Sequence, residues 1–191
     1  MILDCIPYSV DKNLGAAYNS TMQLLGDNDH ACLRDGDTCW LTPDYGVHLA
    51  EYVRLYPNAV LTCWTNRINE KAEQQYPNLH VIDNQEGPVR DCTNMVDHIK
   101  IAEAIKGQLY NVTPLHGFVS GFCMVVPKTV WQLHKFAEKQ PYEDRGPHNL
   151  LGVDNDFTNR VRAAGVPVLR CDGLYIFHVY RMITNSNAHL L

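Results

Sequence analysis

The residues most able to do chemistry lie in two acidic clusters and one histidine. The first cluster is Asp35-Gly36-Asp37, which follows the short apolar run His30-Ala31-Cys32-Leu33. Two carboxylates one residue apart repel each other, and are stable together only when solvated or neutralised by a cation. A hard cation such as Mg²⁺ binds one or two carboxylates and completes its shell with phosphate oxygens and water. The glycine between them lets the backbone approach a ligand closely. An ordinary Asp-Gly turn between strands is the plain alternative.

The second cluster is Asp154 and Asp156, at the start of a helical stretch, where the macrodipole favours anions. N-terminal capping accounts for one of them more readily than for both. The histidine is His178, inside the aromatic run Tyr175-Ile176-Phe177-His178-Val179-Tyr180. It reads either as a ligand or as a core histidine.

Spacing tests two other DxD chemistries. An EF-hand loop starting at Asp35 needs an oxygen ligand at its fifth position and Glu at its twelfth; this chain has Cys39 and Gly46, so it fails. An aspartyl-phosphate phosphatase, with Asp35 as nucleophile, expects Thr or Val where Cys39 stands, with Thr38 one place early. That reading is weakened and stays open.

The elements that must position these groups follow from periodicity. Strands are predicted over residues 2–8, 30–33, 58–66, 79–83 and 118–126, the last holding Ser120 and Gly121, with one or two more over 166–180. Helices are predicted over 11–25, with Leu14, Tyr18, Met22 and Leu25 on one face, and over 93–106 and 154–164. Another follows a Thr42 cap with Pro43 in its first turn, turns Tyr45, Leu49, Val53 and Tyr56 inward, and stops at Pro57. Pro127 opens a further helix that includes Val130, Trp131 and His134. Polar loops at 84–92 and 139–150 are expected to border a cleft. Alternating strands and helices make an α/β sandwich, and the absence of a linker or repeat makes residues 1–191 one domain.

Taken together, three ordered blocks resemble family-2 glycosyltransferases with a GT-A fold. DKNLGAAYNSTMQLLGDNDHACLRDGDTCWLTP is similar to their N-x-G-x-x-x-N helix followed by the DxD strand. VSGFCMVVPKTVW resembles the acceptor-side strand, and GVDNDFTNRVRAAG resembles the ED-x-D-F-x-x-R segment. The resemblance implies a single-domain GT-A-like, Rossmann-like αβα sandwich with a mainly parallel central sheet, and a metal-dependent inverting transfer. It puts Asp35, Asp37 and His178 on a Mn²⁺ or Mg²⁺ ion and Asp154 in the role of general base. It puts Asn13, Gly15, Asn19 and Asp35 on the donor side, and Gly121, Asp156 and Arg160 on the acceptor side as structural residues.

This sequence also departs from the family. Val153 replaces the Glu of the ED pair, and Tyr18 stands where many relatives carry a basic residue. The strand-helix-strand that normally brings a base-binding Asp is missing, which leaves Pro7, Tyr8 and Ser9 as the donor-side candidates near the first strand. A degenerate member that binds a nucleotide or glycan without turnover is the alternative.

Bulk composition supports a real core and argues against disorder. The chain has 191 residues, 46% hydrophobic, with a formal net charge of −5, and no basic run exceeds two residues, which gives no nucleic-acid footprint. The partners implied are a nucleotide-sugar donor and a glycan or lipid-linked acceptor. No apolar run is long enough to span a bilayer, and peripheral membrane contact stays compatible with the sequence. Seven cysteines, scattered and without a CxxC pair, read as reduced thiols, and with no signal-like start the chain reads as cytoplasmic. Trp40, Trp64 and Trp131 offer either core or sugar-stacking faces.

Overall fold

The computed structural model describes residues 1–10, 13–66, 75, 95–138 and 152–179. They form a mixed α/β fold around one open seven-stranded sheet. In chain order the elements are β1 (Ile2–Cys5), α1 (Leu14–Gln23), β2 (His30–Arg34), β3 (Thr38–Trp40), α2 (Tyr45–Leu55), β4 (Val60–Thr65) and α3 (Met95–Ile105). After them come β5 (Val112–Pro114), β6 (Cys123–Pro127), α4 (Lys128–Leu133), α5 (Val153–Ala163) and β7 (Val168–His178). The predicted strand at 79–83 and the loops at 84–92 and 139–150 lie outside the described residues.

The sheet order is β1-β2-β6-β4-β7-β3, with β5 also on β7. β1 pairs with β2, and β4 with β7, in parallel. The other pairings, β2 with β6, β4 with β6, β3 with β7 and β5 with β7, are antiparallel. The expectation of a mainly parallel sheet is therefore corrected to a mixed one. The reason is local: β6 enters against its neighbours, and the short β3 and β5 share the outer edge of the long β7, β5 along its start and β3 along its end. Even so, β1, β2, β4 and β7 all point the same way, so their C-terminal ends share one edge.

Side-chain alternation sorts the strands' apolar residues onto two faces. Ala31, Leu33, Met124, Val126, Val60 and Val168 pack with Tyr18 and Met22 of α1, Val130 and Trp131 of α4, and Phe157 and Val161 of α5. Cys32, Leu61, Cys63, Cys123, Val125 and Leu169 pack with Leu49 and Tyr52 of α2. The third cluster joins Ile101, Ala102 and Ile105 of α3 to Tyr175. A fully buried side chain such as Leu33, Met124 or Phe157 stabilises the fold by about 1.5–3 kcal/mol.

Caps explain where the helices start and stop. Asn13 caps α1, its Oδ1 accepting the Ala16 N–H at 3.0 Å. α5 carries Asp154 and Asp156 in its first turn and Arg160 and Arg162 in its last, matching the macrodipole. Gly165, at φ +82°, ends it in the left-handed conformation that glycine adopts freely. The helix expected after Thr42 begins later, at Tyr45, behind Asp44 at φ 53°. Thr42 is not its cap, because its hydroxyl accepts the Tyr175 N–H at 2.8 Å and ties this corner to β7. Ser120 and Gly121 precede β6 instead of lying within it, with Gly121 in the turn that leads into the strand.

Candidate metal site

The tripeptide Asp35-Gly36-Asp37 is the whole link between β2 and β3, two strands that are neighbours in sequence but not in the sheet. It therefore crosses the C-terminal edge and arrives beside the end of β7. Backbone bonds fix both of its ends. The Asp35 N–H donates to the Phe122 carbonyl at 3.0 Å, and the Val179 N–H donates to the Asp37 carbonyl at 2.9 Å. Thr38, paired in register with His178, donates its hydroxyl to the Asp35 carbonyl at 2.7 Å. Arg34, held by Asp4 at 2.7 Å, donates to that hydroxyl at 3.0 Å.

This crossover brings the two aspartates to His178. Its Nε2 is 3.2 Å from Asp37 Oδ1 and 3.7 Å from Asp35 Oδ2. One ligand atom from each of the three lies within 4.8 Å of the others, so the cluster could hold a metal ion; among the described residues no other group of three does so. The imidazole is buried while the carboxylates are half exposed, so the site opens on the carboxylate side. The His178 ring stacks on Phe122, centroids 5.7 Å apart. Burial, then the charges of Asp37 and Asp154, push the Asp35 carboxyl up to about 6, with His178 opposing them. Asp37 shifts the other way, held down by its hydrogen bond to His178.

Asp154 is tied to the same corner through Gly121, the neighbour of Phe122, whose carbonyl accepts the Asp35 N–H. Its Oδ2 accepts the Gly121 N–H at 2.7 Å and its Oδ1 accepts the Asn155 N–H at 2.8 Å. Burial raises its pKa in spite of these bonds. A Cβ at position 121 would sit 2.7 Å from the Cβ of Asp154, so only glycine allows this approach. Two adjacent amides are fixed in the same way: Val119 N–H donates to Asn155 Oδ1 at 3.2 Å and Ser120 N–H to Gln75 Oε1 at 2.8 Å.

The residues expected on the donor side divide. Ile6 lies under the acidic crossover, its Cγ2 3.5 Å from where a Gly36 Cβ would be, and Tyr8 beyond it is 83% exposed. Pro7 and Ser9 are half-buried, and the Ser9 hydroxyl accepts the Asn13 N–H at 3.0 Å.

Asn13, Gly15 and Asn19 hold the segment 136–138. Asn13 Nδ2 donates to the Glu138 carbonyl at 2.9 Å, and a Cβ on Gly15 would run into the Ala137 carbonyl oxygen. Asn19 Oδ1 accepts from Trp131 Nε1 at 2.8 Å and from Phe136 N–H at 3.0 Å. Its Nδ2 donates to the Phe136 carbonyl at 3.0 Å and to Glu138 Oε1 at 2.8 Å. Both polar atoms of Asn19 are thus spent on holding this segment. Asp156 and Arg160 join the same clamp: the aspartate pairs with Arg160 at 2.8 Å, and Arg160 donates to the Lys135 carbonyl at 2.8 Å.

The tryptophans are packed. Trp131 is buried, Trp40 stacks on Tyr45 at 4.7 Å, and the Arg170 guanidinium lies 3.2 Å over Trp64. Sequence reasoning missed Arg34, Asn66 and Gln75, whose partners Asp4, His178 and Ser120 are distant in the chain. No helix among the described residues is long and apolar enough to cross a membrane. No family model matches this chain, and no curated protein matches it at a significant level.

Proposed function

We propose that the chain is a metal-dependent, inverting glycosyltransferase of the GT-A type. It would move a sugar from a nucleotide-sugar donor to a hydroxyl of a glycan or lipid-linked acceptor. The observation that carries this reading is the convergence of Asp35, Asp37 and His178 within 4.8 Å at the C-terminal edge of the sheet. That edge is where α/β folds bind ligands. Helices on both faces of the sheet support the sandwich arrangement of that fold.

The donor set fits the cation. Two carboxylates suit Mg²⁺ or Mn²⁺, and an imidazole nitrogen beside them favours Mn²⁺. When bound, such an ion supplies positive charge to a leaving diphosphate. The remaining chemistry belongs to the chain. Asp154, its pKa raised by burial, takes the proton of the acceptor hydroxyl. The freed oxygen attacks the anomeric carbon from the face opposite the phosphate. The bond from that carbon to the phosphate oxygen breaks, its electron pair leaves with the diphosphate, and the configuration inverts. Gly121 and Asn155 aim the base through their N–H groups. On the donor side, exposed Tyr8 gives a nucleobase a face to stack on.

Incubation with a panel of nucleotide sugars and Mn²⁺, with nucleoside diphosphate release as readout, tests this directly. Release with one donor, lost in Asp37→Ala, supports the transferase. Hydrolysis of a simple aryl phosphate that depends on Asp35 would replace it with a phosphohydrolase, and nucleotide binding without turnover would leave a binding protein.

A further inference from the structure

We infer that Asn66 is a positioning residue for the metal site and acts by gripping the backbone of His178; the inference rests on the metal reading above. β4 stops at Thr65, opposite Ile176 in the parallel ladder with β7. β7 continues to His178, so the N–H and carbonyl of His178 that face β4 lie beyond the last residue pair of that ladder. The side chain of Asn66 takes that place. Its Oδ1 accepts the His178 N–H at 2.7 Å, and its Nδ2 donates to the His178 carbonyl at 3.1 Å. Asn66 is fully buried, at 0% exposure, so neither bond competes with water.

The other flank of β7 is held by the acidic crossover itself. Thr38 lies in register with His178, and the Val179 N–H donates to the Asp37 carbonyl at 2.9 Å. His178 is thus fixed between two grips, one of which carries Asp37 and the other of which is a single amide. An imidazole contributes to a cation only when its nitrogen is held in place relative to the carboxylates, and here the ring depends on backbone that Asn66 anchors. An amide suits this task because it offers one acceptor and one donor in a plane, as a strand residue does. Aspartate keeps the acceptor alone, and alanine keeps neither.

The test is Mn²⁺ titration by calorimetry on the metal-free full chain, comparing wild type, Asn66→Ala, Asn66→Asp and His178→Ala. Loss of a group that orients a metal ligand costs about 10–100-fold in affinity, and Asn66→Ala is expected in that range. Asn66→Asp, close to isosteric, should show a smaller loss of the same sign. A purely structural role would lower the melting temperature of the folded variants and leave their Mn²⁺ affinity at the wild-type value, and that result overturns the inference. If Asn66→Ala does not fold, Asn66→Asp decides on the same criterion. Wild type that binds no Mn²⁺ removes the metal site and the role of Asn66 with it, whereas equal binding by wild type and variant removes only Asn66.

Discussion

Asp37 and His178 meet across the β3–β7 ladder, Oδ1 to Nε2 3.2 Å apart. The same aspartate's carbonyl accepts the N–H of Val179 at 2.9 Å. Residues 141 positions apart in the chain are thereby locked by backbone before any ion is considered. A cation entering here would meet ligands already near their places, so little ordering entropy opposes binding.

The pH dependence has a definite sign. Asp35 titrates at about 6, above its usual 3.8, so the folded state holds its proton more tightly than the unfolded state. Its contribution to metal-free stability is full below about pH 4 and is lost as pH rises through about 6. Asp35→Asn, which does not titrate, should match wild type near pH 4 and be the more stable of the two above pH 6. Melting temperatures of both proteins in EDTA across that range check this. A difference that stays constant with pH contradicts it. Mn²⁺ affinity of wild type should fall as pH drops below about 6, because the ion competes with the proton.

Under the proposed function, Asp154→Asn preserves shape and removes the base. It should lower transfer by about 10²–10⁴-fold with donor affinity retained. Gly121→Ala should lower transfer as well, since its Cβ would push on the Asp154 Cβ 2.7 Å away. Steady-state kinetics with a fixed donor distinguish this from a helix cap, for which transfer would be unchanged in Asp154→Asn.

Asn19→Ala should destabilise the fold. It removes the acceptor for the buried Trp131 Nε1 and Phe136 N–H and the donor to the Phe136 carbonyl. Unpaired buried groups of this kind cost about 1–3 kcal/mol each, and the net loss is expected at about 2–4 kcal/mol. Urea unfolding measures it. Mn²⁺ affinity should stay at the wild-type value, since none of these partners belongs to the metal cluster. A variant of normal stability that has lost nucleotide binding would contradict this and favour a donor-side role for Asn19.

Much of this could be read from the chain, and what could not shares one cause. Helical periodicity located α1, α2, α3 and α5 because each buries one stripe, as Tyr18 and Met22 do on α1. The acidic pair and His178 were legible as chemistry because repelling carboxylates need a reason. Three-residue β3 and β5 gave no period to detect, and they exist only because β7 is long enough to carry both. Thr42 looked like a cap because its tie to Tyr175 spans 133 residues. Asn66 and Gln75 gave no local signal, since their partners are His178, Ser120 and Thr62. The motif around Asn13, Gly15 and Asn19 was visible, but what it grips was not.

The cysteines show the same effect. Scattered in sequence, Cys32, Cys63, Cys123 and Cys171 come together on one face of the sheet, with Cys32 and Cys123 sulfurs 3.9 Å apart. All four are buried with raised pKa values, and Cys5 is pushed up to about 11, chiefly by burial. Cys39 is exposed. In a Cys92→Ser background, iodoacetamide at pH 8 should modify Cys39 first and leave the four inner thiols intact until the protein unfolds. Mass spectrometry of digests reads this; inner thiols labelled as fast as Cys39 would contradict the packing.

Under the proposed function, the Asp35–Asp37–His178 cluster binds a sugar nucleotide's diphosphate through a divalent cation. Phosphate and two carboxylates repel unless a cation joins them, so binding of UDP or GDP should require Mn²⁺. A ligand at 100 times its dissociation constant stabilises the folded state by about 2.7 kcal/mol. At roughly 2–4 °C per kcal/mol for a domain of this size, the melting temperature should rise by about 5–11 °C. Asp35→Ala and Asp37→Ala should each abolish the rise, and EDTA should reduce it to near zero. A rise that survives EDTA would put the nucleotide elsewhere. No rise with any nucleoside diphosphate at millimolar ligand and Mn²⁺ would contradict the account.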